Sequence, residues 1–159
     1  MAEQRLWAPW RMEYIESEKS GECIFCAALD SDDDAGKYVL HRGERCFVML
    51  NAYPYTSGHL MVAPNGHVDS LEALDGDTLL ELMTLTQRSL GAIGEAYGPE
   101  GFNIGVNQGK VAGAGVEDHV HLHVVPRWAG DTNFMPVVGG ARVLPQSLAD
   151  SFEALKPLF

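Results

Sequence analysis

The sequence predicts an α+β fold, with an antiparallel sheet of about five strands, one long helix and a C-terminal helix. Three observations predict it. Short β-favouring segments recur at 45–50, 58–63, 102–106 and 119–125. One long segment, opening at Asp75 and closing at Gly98-Pro99, carries apolar residues at helical spacing. The strands group around that helix rather than alternating with several, which fits a sandwich better than a doubly wound sheet.

Each element has its own reason. Arg45-Cys-Phe-Val-Met-Leu50 is β-favouring and stops at the turn-like Asn51-Ala-Tyr-Pro-Tyr55. Residues 58–63 run from Gly58 to the breaker Pro64. Phe102, Ile104 and Val106 alternate with small or polar neighbours, as a half-buried strand does. Leu79, Leu82, Met83, Thr86, Leu90, Ile93 and Tyr97 mark one face of the long helix, with Asp75 as its N-cap. A second helix is expected to start near Pro145 and to bury Leu148, Phe152 and Leu155. The acidic run Asp30-Ser-Asp-Asp-Asp34 reads as a solvated loop, since it lacks the alternating spacing of a calcium loop.

The chain has 159 residues, 46% hydrophobic and 21% charged, with 22 acidic against 11 basic side chains and a net charge of −11. That length suits a single domain over residues 1–159, and the apolar fraction excludes disorder. Three cysteines are too few for a disulfide scaffold. No apolar run approaches the ~20 residues needed to cross a bilayer, and the first sixteen residues lack a signal-peptide pattern. A cytoplasmic protein is the expectation. The scattered basic residues and acidic balance count against nucleic-acid or anionic-membrane partners.

The chemistry concentrates in His119-Val-His121-Leu-His123. On a strand, alternate side chains share a face, which would place these imidazoles about 7 Å apart with Val120, Leu122 and Val124 toward the core. Three readings compete: an exposed polar face, a metal site, or one neutral imidazole attacking while a neighbour moves a proton. Upstream, Asn107-Gln-Gly109 and Gly113-Ala-Gly115 form a glycine-rich turn whose backbone N–H groups can approach an anion. Cys23-x-x-Cys26 reads as a metal or redox pair, and Cys46 as core.

His119-Val-His-Leu-His123-Val-Val resembles the histidine triad motif, His-φ-His-φ-His-φ-φ with φ apolar. The resemblance spans about residues 21–135 and includes Cys23-Ile-Phe-Cys26, Leu50-Asn51, Gly58-His59-Leu-Met-Val-Ala-Pro64 and Pro126-Arg127. The extensions Leu6-Trp-Ala-Pro-Trp10-Arg11 and Arg127-Trp-Ala-Gly-Asp131-Thr-Asn-Phe134 are most similar to the branch with bacterial diadenosine tetraphosphate phosphorylases. The fragile histidine triad hydrolases are the next branch.

This resemblance implies the histidine triad fold and a nucleotidyl hydrolase or transferase acting on dinucleoside polyphosphates. It implies that His121 attacks an α-phosphate and forms a covalent nucleotidyl-histidine, which water or inorganic phosphate then releases. His119 and His123 would flank it, His123 contacting phosphate or leaving group. By the same resemblance Ile24, Phe25 and Met49 sandwich the base, Asn51 binds ribose hydroxyls, and Asn107 with Gly113 and Gly115 contacts phosphate. Cys23, Cys26, His67 and His119 match a structural zinc set, and no metal is required for the chemistry itself. A homodimer is implied too. One departure matters: Gly113-Ala-Gly-Val116 lacks the hydroxyl residue that many members carry before the triad.

Overall fold

The apolar runs form a five-stranded antiparallel sheet in the order β1-β2-β3-β5-β4. The strands are β1 (Val39–Arg42), β2 (Cys46–Leu50), β3 (Leu60–Pro64), β4 (Gly101–Val106) and β5 (Leu122–Arg127). This computed structural model describes residues 21–139 and 143–159. The Leu6–Arg11 motif lies outside the described residues. Helices are α1 (Ile24–Leu29), α2 (Asp34–Lys37), α3 (Gly76–Tyr97), α4 (Met135–Val138) and α5 (Leu148–Leu155).

β2 and β3 are buried throughout, because both faces of the sheet are covered there. On one face Val48, Leu50, Leu60, Val62, Leu122 and Val124 pack against Leu82, Leu85, Ala92 and Ile93 of α3 and Leu155 of α5. On the other, Phe47, Met49, Met61 and Ala63 meet Phe25 and Ala28 of α1. This second layer is thin, and it leaves space beside the histidines.

α3 starts where the sequence indicates. The Asp75 carboxylate accepts from the Thr78 amide at 2.7 Å, and Gly98 closes the helix in the left-handed region. Its buried stripe keeps Leu82, Thr86 and Ile93 of the expected one, with Leu90 and Tyr97 packed at its margin. Leu82, Leu85, Thr86, Ser89, Ala92 and Ile93 face the sheet, while Leu79 and Met83 are exposed. Thr86 and Ser89 enter the core because their hydroxyls donate to carbonyls one turn back, at 2.8 and 2.7 Å.

Three further expectations change. The acidic run is partly structured: Asp33 caps α2 by accepting from the Gly36 amide, and Asp34 pairs with Arg42 and Lys156. α5 begins after its cap Ser147, not at Pro145. β5 begins at Leu122, so His119 and His121 precede the strand in a segment tied by the Val120 amide to the Val68 carbonyl.

Candidate functional site

β3 and β5 pair with Met61 opposite His123, which puts His123 on the thin-layer face. There a cavity of about 390 Å³ opens. His121 and His123 line it, as do Ile24, Phe25, Met49, Asn51, Asn107, Gly113 and Gly115. The structure therefore brings together every residue that the sequence associates with the substrate. His119 lies behind this wall, fully buried.

The ring of His121 has a fixed tautomer. Its Nδ1 lies 2.8 Å from the His119 carbonyl oxygen, which only accepts, so Nδ1 carries the proton and Nε2 the lone pair. Burial holds His121 below the ordinary histidine range, keeping it neutral near pH 7. Phe25 packs on both buried histidines, with ring centroids 4.9 Å from His119 and 4.8 Å from His121.

His59, part of the Gly58–Pro64 motif, hydrogen-bonds to His123. The Tyr55 amide donates to His59 Nδ1 at 3.0 Å, so His59 carries its proton on Nε2. That Nε2–H donates to His123 Nδ1 at 3.0 Å, which leaves the His123 proton on Nε2. The Asn51 amide nitrogen stands 3.4 Å from the same His59 atom, but two donors make no bond there. His59 is buried, and burial, with His123 and His121 beside it, pushes its pKa down to about 3. The Asn51 carbonyl oxygen accepts from the Tyr53 amide at 2.8 Å, fixing the loop after β2. His59 could have been found from period two: it shares a face with Met61, and Met61 lies opposite His123.

Behind His119 sits a second cluster. One ligand-type atom from each of Cys23, Cys26, His67 and His119 lies within 4.8 Å of the others. His119 Nδ1 is 3.4 and 3.8 Å from the two sulfurs, and His67 Nδ1 is 3.3 Å from Cys26 Sγ. A tetrahedral zinc ion with S₂N₂ ligands has donor separations of about 3.3–3.8 Å, so the set fits. His119 Nε2–H donates to the Pro64 carbonyl at 2.8 Å and turns the Nδ1 lone pair to the cluster. Cys46 stands apart in the core, where burial raises its thiol to about 12.

Fold and site together define an α+β protein with a histidine-walled ligand cavity backed by a Cys₂His₂ cluster. The HIT domain family profile matches residues 34–130, and the chain belongs to that family. It is 41% identical over 157 residues to an AP-4-A phosphorylase of Mycobacterium tuberculosis, covering 93% of this chain and 80% of the relative. It is 28% identical over 122 residues to an adenylylsulfatase of Arabidopsis thaliana, covering 73% of this chain and 60% of the relative. A Zn-bound histidine triad family protein from Mycobacterium smegmatis superposes with a TM-score of 0.67 at 28% identity, over 87% of this chain and 94% of that one.

Proposed function

We propose that this protein cleaves dinucleoside polyphosphates of the diadenosine tri- or tetraphosphate type by nucleotidyl transfer through His121. The observation that carries this reading is the bond from His121 Nδ1 to the His119 carbonyl, which leaves a neutral lone pair on a cavity-lining ring. Its similarity to the phosphorylase supports the substrate class, and similarity to the adenylylsulfatase supports attack at a nucleotide phosphate.

In the proposed reaction His121 Nε2 attacks the α-phosphorus, a P–N bond forms, and the P–O bond to the bridging oxygen breaks. Positive charge developing on the ring is stabilised by the Nδ1–H bond to the His119 carbonyl. His123 Nε2–H donates a hydrogen bond to the departing oxygen, which leaves as a phosphate anion, and His59 sets the tautomer that makes this possible. Inorganic phosphate or water then attacks the same phosphorus, breaks the P–N bond and restores the neutral ring. Ile24, Phe25 and Met49 hold the base, Asn51 the ribose, and Asn107 with the Gly113 and Gly115 region the phosphate oxygens. The cluster Cys23, Cys26, His67 and His119 would hold zinc as a closed structural centre.

We propose a homodimer as well. β4 is one of the two edge strands, and Ile104 on it is exposed, which offers a strand edge to a second copy.

Product analysis on diadenosine tetraphosphate with and without phosphate tests the chemistry. ADP formed only with phosphate establishes phosphorolysis, and AMP formed regardless establishes hydrolysis. Absence of any cleavage of tri- or tetraphosphate overturns the proposal.

A further inference from the structure

The Cys₂His₂ cluster and the nucleotide cavity share a wall. Cys23 and Cys26 belong to the cluster, and the two residues between them, Ile24 and Phe25, line the cavity. His119 joins the two from the other side. Its ring faces the sulfurs, while its carbonyl holds the His121 proton. The Phe25 ring lies against both histidines.

α1 cannot hold this arrangement by itself. It has six residues, well below the ~12–15 at which an isolated helix becomes even marginal in water. Its N-cap Cys23 makes no side-chain capping bond. Its N-terminal end is positioned instead by sulfur contacts to His119 and His67 at 3.3–3.8 Å. A metal ion would replace these weak contacts by four bonds joining three separate chain segments: α1, the loop after β3, and the segment before β5.

We propose that metal and nucleotide binding are thermodynamically coupled in this protein. Closing the cluster on a zinc ion fixes α1 and His119, and thereby sets both the base wall and the orientation of the nucleophile. Cys23, Cys26 and His67 are then positioning residues for nucleotide recognition, although none of the three lines the cavity. The inference rests on the nucleotide reading above. Linkage makes it reciprocal: a nucleotide in the cavity must tighten metal binding by the same factor.

The test uses the full chain, zinc-loaded and zinc-stripped, with AMP as the probe. Calorimetry should show AMP binding weakened about tenfold by zinc removal, within the ordinary range of coupling between sites. In the converse arm a chromophoric chelator withdraws zinc from the wild-type protein with and without AMP. Saturating AMP should raise the apparent zinc affinity by the same factor. His67→Gln, which alters the cluster and spares the cavity, should weaken AMP binding while circular dichroism stays unchanged. If the stripped protein unfolds, the chelator arm decides alone. Equal AMP affinity with and without zinc, or zinc affinity indifferent to AMP, overturns the coupling and leaves the nucleotide site intact. No AMP binding to the loaded protein overturns the nucleotide reading instead. Failure to take up one zinc per chain overturns the cluster.

Discussion

Two ring nitrogens of each histidine have different duties here, and backbone groups decide which does what. The His119 carbonyl assigns the lone pair of His121 to Nε2, and the Tyr55 amide assigns the proton of His123 through His59. His121→Asn keeps a polar group but loses the proposed nucleophile. We expect turnover of diadenosine tetraphosphate to fall by at least about 10³-fold, and no covalent adduct in the mass spectrum. Wild-type turnover in that variant would end the covalent reading. His59→Asn removes the tautomer lock without touching the cavity wall. Its kcat should drop roughly 10²-fold with KM held, because the His123 proton is no longer directed to Nε2. The triad was legible as a set because its spacing is unusual. The burial of His119 was not, since the same spacing reads as an exposed face if the strand starts at 119 rather than at Leu122.

Among the elements, the loop between β2 and β3 does the most for the site. Gly58 sits in it with φ +83°, and a Cβ there would lie 2.9 Å from Tyr97 Cε2. Gly58→Ala should cost about 1–3 kcal/mol in denaturant unfolding and displace the adjoining His59. Unchanged stability and activity would show that the loop tolerates the strain. The long helix α3 was readable from its cap, its glycine stop and most of its inward face, with Leu79 and Met83 turning outward and Leu85, Ser89 and Ala92 joining the core. Ser89 looks polar in sequence and, like Thr86, sits in the core through a bond to its own backbone. β1 and α1 escaped the sequence reading because four to six residues carry too little periodicity to register.

For the whole molecule, burying neutral histidines ties stability to pH. His59 has its pKa pushed from 6.5 to about 3, so the unfolded chain binds the extra proton between those values. Its contribution is fully present above pH ~6.5 and is lost as pH falls toward 3. At pH 5 the loss from His59 alone is about 2 kcal/mol relative to pH 7.5. Urea midpoints at the two pH values check this, and His59→Gln should flatten the difference. Sedimentation should show a dimer, and Ile104→Lys on β4 should yield monomers; a wild-type monomer would refute that assembly. Among the described residues no helix is long and apolar enough to cross a membrane. Sheet, long helix and C-terminal helix were all foreseeable from periodicity, whereas the thin second layer was not, because its space is defined by what fails to fill it.

Arg42 gives the other end of α1 a different fate. Its guanidinium donates to the Ala28, Leu29 and Ser31 carbonyls at 2.6–3.0 Å and pairs with Asp34. That grip depends on neither metal nor pH, since arginine keeps its charge throughout the working range. If the cluster holds the proposed ion, withdrawing it would free α1 at its Cys23 end only, so that it swings like a door hung on Arg42. Such a door carries Phe25 away from its packing partner His121. Amide exchange would record the motion as a gradient along the four amides from Ala27, the fastest, to Asp30, the slowest.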